Sequence, residues 1–193
     1  MLDNNFKYLS EKYKNILLER FNYDPLLMDI IDDLVLLEVD YFDFNNKHLK
    51  GTILCNITIY EDLDYIFKKL YENKYQIEKI ELIDEYDFND DKSMKDNNSS
   101  CFNFRKIVHK NKYSNHSYGL AIDINPLYNP YVVDISLDRI YPIEGKQYID
   151  REKDFEHKIT YDDLCYKLFL ERGFEWGGEW DTPDYQHFQK SKK

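Results

Sequence analysis

The sequence predicts an α+β fold, and three observations carry that prediction. Apolar side chains recur at helical spacing in residues 6–21 and 61–75, β-rich segments at 34–44 and 49–59 flank a polar turn, and short aromatic segments close the chain. With 193 residues, 42% hydrophobic and 33% charged, the chain is long enough for one core, so one domain over 1–193 is the expectation.

Taken in order, Phe6, Leu9, Tyr13, Ile16, Leu17 and Phe21 form one helical stripe, and Pro25 suits the first turn of a second short helix ending near Ile31. Residues 1–31 therefore read as a helical segment packed on the rest. The polar turn Asn45-Asn46-Lys47 joins strands 34–44 and 49–59 into a hairpin. In 61–75 the stripe is Leu63, Ile66, Phe67, Leu70 and Tyr71, with Glu61 and Asp62 favouring the positive end of the helix dipole. Alternation in 77–83 predicts a further strand, and the Asp- and Asn-rich 84–100 a long loop. A short stretch at 102–108, a strand at 120–124 and a surface excursion over 129–154 follow. Thr160 is expected to cap a last helix that Gly173 ends. Residues 174–189 read as two short strands around the Gly177-Gly178 turn.

A formal net charge of -11 repels phosphate backbones and argues against nucleic acid as a partner. The only basic cluster is the Lys-rich end at 190–193. No apolar run is long enough to span a bilayer, so no membrane insertion is expected. The N-terminus lacks a basic region followed by an apolar stretch, so it reads as having no signal peptide and the product as cytoplasmic when synthesised. Cys55, Cys101 and Cys165 are odd in number and form no CxxC pair, which reads as three free, buried thiols. Asp84, Asp87, Asp90 and Asp91 lack the order and the central Gly of a calcium loop and read as a solvated acidic face. His48, His109 and His157 read as surface or partly buried residues.

The other two histidines lie in segments with more structure in their sequence. In Ser114-Asn115-His116-Ser117-Tyr118-Gly119-Leu120-Ala121-Ile122-Asp123, a small-residue turn separates His116 from Asp123. The second segment runs from Trp176 to Phe188 and contains His187. Two imidazoles and a carboxylate make a three-ligand zinc site with a fourth position open to water. Spacing alone favours a core hydrogen-bonding role for the same residues over metal binding.

SNHSYGLAID resembles the SxHxxGxAxD signature of the zinc peptidases that include VanY-type D-alanyl-D-alanine carboxypeptidases and L-alanyl-D-glutamate endopeptidases. GFEWGGEWDTPDYQHF is similar to that family's GFxWGGxW…DxxHF ending, and the Asn-Ser stretch running into Arg105 to its preceding loop. The resemblance covers roughly residues 80–190. It implies a hedgehog-type α+β fold, with a small antiparallel sheet, helices on one side and a zinc site in the cleft. It implies Zn2+ held by His116, Asp123 and His187, Asp184 as general base, and Arg105 as the cation facing the developing oxyanion. Ser114 would support the site or contact substrate, and Trp180, with Trp176, could line a groove or pack in the core. The implied partner is a peptidoglycan stem peptide or muropeptide, met by a monomer, at the cell wall after release or as cytoplasmic fragments. Endopeptidase and carboxypeptidase specificities both remain open, with the ending nearer the endopeptidase and lysin branch. A non-catalytic zinc-containing binding module of hedgehog type is the alternative.

Overall fold

The structure, a computed structural model, describes residues 6–107 and 111–191. Val108, His109, Lys192 and Lys193, expected to end a short stretch, to sit near the surface and to close a basic tail, lie outside the described residues.

The chain is α+β as expected. Its largest sheet has three antiparallel strands, β1 (Phe6–Tyr8), β2 (Leu34–Phe42) and β3 (His48–Asn56), in that order. The β2–β3 hairpin pairs without a break from Leu34↔Asn56 to Phe42↔His48. The period of two sorts its side chains between two cores. Val35, Leu37, Val39, Tyr41, Ile53 and Cys55 join the larger cluster with Leu63, Ile66, Phe67 and Leu70 of α3 (Tyr60–Glu72). Leu34, Leu36 and Leu54 join the smaller one with Leu17 of α1 (Glu11–Arg20) and with Leu27 and Ile30 of α2 (Pro25–Ile30). Helices therefore cover both faces of this sheet, where one was expected, because β2 opens with apolar side chains on both faces, Leu34 and Leu36 on one and Val35 and Leu37 on the other.

The expected helix over 6–21 begins later. Residues 6–8 pair with β2, and Ser10 caps α1 by accepting from the Tyr13 amide. Tyr60 rather than Glu61 opens α3, and Asp24 caps α2 ahead of Pro25.

The strand expected at 77–83 does not form. Gln76 and Lys79 make single bridges to Phe42 and Asn98, while Ile77 and Ile80 are buried. Side-chain amides take the place of a partner strand. Asn125 accepts from the Glu78 amide and donates to the Gln76 carbonyl, and Asn98 does the same for the amide and carbonyl of Glu81. The expected loop at 84–100 carries a 3-10 turn, Ile83–Tyr86, and a short helix, α4 (Asp90–Lys95).

The excursion at 129–154 holds a small hairpin, β5 (Tyr131–Asp134) with β6 (Arg139–Tyr141), followed by a 3-10 turn, Ile143–Tyr148. It is tied down by Arg151. That guanidinium donates to Asn129 and to the carbonyls of Tyr128 and Ile159, and lies 4.3 Å from the centroid of the Tyr185 ring. The last helix, α5 (Leu164–Glu171), is capped by Asp163 and not by Thr160, since the Asp163 carboxylate reaches the Cys165 amide. Gly173, at a φ of 77°, ends it as expected.

A third sheet, order β4-β8-β7, comprises β4 (Ala121–Asp123), β7 (Glu175–Trp176) and β8 (His187–Gln189). The Gly-Gly pair is not a hairpin turn between the last two. Gly177–Glu179 form a 3-10 turn, and a longer loop returns to β8. All three cysteines are free and buried. Among the described residues no helix is long and apolar enough to cross a membrane.

Gly51 on β3 shows how closely 77–83 is packed. A Cβ there would sit 2.5 Å from the Ile80 Cβ and 2.8 Å from its carbonyl oxygen. Backbone cannot yield as a side-chain tip can, so Gly51→Ala is expected to destabilise by about 1–3 kcal/mol. Chemical denaturation checks this, and an unchanged midpoint would contradict the packing.

Candidate metal centre

The β4-β8-β7 sheet divides its residues by face. Ile122, Phe188 and Trp176 point into the larger core, where Trp176 and Phe188 stack. In register, Asp123 lies opposite His187, and Glu175 and Ala121 lie opposite Gln189. Asp123, His187, Gln189 and Glu175 therefore share the other face.

His116 reaches this face from a 3-10 turn, Asn115–Tyr118, capped by Ser114, whose Oγ accepts from the His116 amide. Gly119 ends the turn at a φ of 65°. A Cβ there would come within 2.7 Å of the Asn56 nitrogen. The turn instead docks on the end of β3, where the Asn56 amide donates to the Gly119 carbonyl and its side chain to that of Tyr118.

Three ligand atoms converge. His116 Nε2 lies 3.2 Å from Asp123 Oδ2 and 3.1 Å from His187 Nδ1, which lies 3.0 Å from Asp123 Oδ1. The three residues are 2%, 5% and 6% exposed. Ligands at about 2.0–2.1 Å from an ion, at tetrahedral angles, sit about 3.3 Å from one another, close to this spacing. Each imidazole has an oxygen at its outer nitrogen. His116 Nδ1–H donates to the Cys101 carbonyl at 2.6 Å, and His187 Nε2 lies 3.1 Å from Gln189 Oε1. With the outer nitrogens protonated and both rings neutral, three lone-pair atoms face each other with no proton between them. A cation resolves that conflict, so the donor set fits zinc.

Electrostatics agree. Burial alone would lower the His116 pKa, but the adjacent Asp123 carboxylate more than offsets it and the net shift is upward. Burial would raise Asp123, yet His116 and His187 hold it well below the ordinary carboxylate range.

Asp184 is tied into the same region. Its amide donates to the Gly177 carbonyl, and its own carbonyl accepts from the His187 amide. A Cβ on Gly177 would lie 2.7 Å from the Asp184 carbonyl oxygen and 3.3 Å from the His187 Cβ, which explains a glycine there. The Asp184 Oδ1 is buried without a partner. Burial pushes this carboxyl up to about 7; His187 and Arg105 oppose the rise, while Asp123 and Asp90 add to it. Arg105 is thus within electrostatic reach of Asp184 and also of His116. Its Nε stands 2.8 Å from Asp90 Oδ2, but off the line of a hydrogen bond. Asp90 also accepts from Asn103.

The two tryptophans part company. Trp176 is 3% exposed and donates to the Tyr185 carbonyl, whereas Trp180 is 39% exposed with its ring 5.4 Å from that of His187. Ser114 is buried and acts on the His116 turn. His48 pairs with Asp40, and His157 stacks on Phe44, both apart from the centre. Sequence reasoning missed Cys101, Gln189 and Asp90. Cys101 contributes a backbone carbonyl, which no side-chain pattern announces. Gln189, two residues after His187 on a strand, was within reach of a period-two argument. A groove of about 740 Å³ runs between 73–76 and 154–164 and includes none of these residues.

A family model described as D-alanyl-D-alanine carboxypeptidase matches residues 108–190, less than half of the chain but spanning His116, Asp123, Asp184 and His187. It begins after Arg105. That match supports a peptidase of this kind. No curated protein and no solved structure matches the chain.

The raised pKa of Asp184 has a definite sign in the metal-free protein. Between an unfolded value of about 4 and a folded value of about 7, the native state binds the extra proton, so stability falls as pH rises through that window. Asp184→Asn removes this loss. In chelator, its stability relative to wild type is expected to rise by more than about 1 kcal/mol from pH 5 to pH 8. A pH-independent difference in thermal unfolding would contradict the burial argument.

Proposed function

We propose that the chain is a zinc metallopeptidase that hydrolyses a peptide bond in peptidoglycan stem peptides, either L-Ala-D-Glu or D-Ala-D-Ala. The observation that carries this reading is the convergence of His116 Nε2, Asp123 and His187 Nδ1, all within 4.8 Å of one another, inside the segment that matches the peptidase family. These three residues would hold the ion. When bound, zinc supplies a Lewis acid that acidifies water and polarises a carbonyl.

The remaining work falls to the protein's own side chains. Asp184 accepts a proton at its carboxylate and returns it to the leaving amine. Its upward shift towards neutrality suits a group that must both take and give. The Arg105 guanidinium, braced by Asp90, offers positive charge to the oxygen of the scissile carbonyl as it becomes negative. The exposed Trp180 ring beside His187 offers a flat apolar wall to the substrate chain. Ser114 contributes through the His116 turn. Stem peptides would be met at the wall after release of the protein, or as fragments inside the cell.

Purified protein is expected to carry about one equivalent of zinc and to cleave defined muropeptides, with products identified by mass. Asp184→Asn should lower turnover by about 100- to 10,000-fold and keep its zinc. Arg105→Met should lower it by about 100- to 1,000-fold, while His116→Ala should lose the metal. Zinc without cleavage across the whole panel would replace the enzyme with a hedgehog-type binding module. Less than half an equivalent of zinc, with no gain on addition, would remove the metal centre.

A further inference from the structure

Gln189 sits at the meeting point of four segments. Its Oε1 lies 3.1 Å from His187 Nε2 and accepts from Asn115 Nδ2 at 2.6 Å, and its Nε2 donates to Glu175 Oε2 at 3.2 Å. A carboxylate has no proton to give at neutral pH, so the atom of Gln189 facing Glu175 must be the NH2 group. The carbonyl oxygen is thereby turned towards Asn115 and His187, where only an N–H can meet it. Acceptors at both nitrogens compete for the single proton of a neutral His187 ring. Asp123 Oδ1 and His116 Nε2 stand 3.0 and 3.1 Å from Nδ1, and Gln189 Oε1 stands 3.1 Å from Nε2. A proton on Nδ1 occupies the lone pair a metal needs, and a proton on Nε2 leaves it free.

We infer that Gln189, oriented by Glu175 and Asn115, is a positioning residue that draws the His187 proton to Nε2 and so presets Nδ1 as a metal ligand. The inference rests on the zinc reading above for its purpose, but not for its geometry. Glu175 gains a role through the amide it orients.

Two measurements on the full chain test this, with circular dichroism confirming that each variant folds. The first is the His187 tautomer in chelated protein at alkaline pH, from 15N chemical shifts of the imidazole. The second is zinc affinity by competition with a chromogenic chelator. Wild type is expected in the Nε2–H form. Gln189→Leu should shift the ring towards Nδ1–H and weaken zinc by about 10- to 100-fold. Gln189→Glu combined with Glu175→Gln reverses donor and acceptor across the pair while keeping an oxygen against His187. That double variant is expected to restore the Nε2–H form and affinity to within a few-fold of wild type. An unchanged tautomer or an unchanged zinc affinity in Gln189→Leu overturns the inference, as does failure of the double variant to recover either. If wild type itself binds no zinc, the peptidase reading fails, and the tautomer measurement still decides the role of Gln189.

Discussion

The candidate centre depends on one strand pairing, that of β4 with β8. Asp123 and His187 are 64 positions apart, and antiparallel register sets them opposite each other on the same face. Slipping β4 by one residue against β8 would turn Asp123 into the core and bring Ile122 out. Phe188 stacks on Phe169 of α5 and on Trp176, both in the core. The hydrophobic face of the little sheet therefore enforces the geometry of its polar face.

The other elements hold this sheet in place. Residue 100 pairs with Asp123, Phe102 donates to Leu54 of β3, and Asn103 donates to the His116 carbonyl. The segment between α4 and the His116 turn thus joins the large sheet to the small one and delivers the Cys101 carbonyl to His116. On the far side, the 129–154 excursion grips the loop before β8. The Val132 amide donates to the Pro183 carbonyl, Tyr131 bridges Asp184, the Gln186 side chain donates to the Tyr141 carbonyl, and Arg151 lies over Tyr185. What reads as a surface excursion is a buttress for the segment that carries Asp184.

Charge is handled with the same economy of partners. A buried carboxylate between two imidazoles is held ionised, and a second carboxylate nearby is pushed towards neutrality by its burial, with its Oδ1 left without a partner. Two acids in one site are thus separated in character by environment alone. Asp90, a member of an acidic run that reads as a solvated face, turns inward to Arg105 and keeps that cation beside the centre.

By itself the sequence determined the β2–β3 hairpin, α2, α3, the Gly173 stop and the pair of motifs around His116 and His187, because each rests on local spacing or on a local turn. Tertiary structure decided the rest. Residues 77–83 alternate like a strand, yet Asn98 and Asn125 satisfy their backbone from a distance, and residues 6–8 leave a helical stripe because β2 offers an open edge. Which nitrogen of each histidine faces inward, and which face of β8 meets Asp123, are properties of register and of neighbours such as the Cys101 carbonyl and Gln189. Those partners lie far along the chain or belong to the backbone, and a one-dimensional pattern cannot carry their positions.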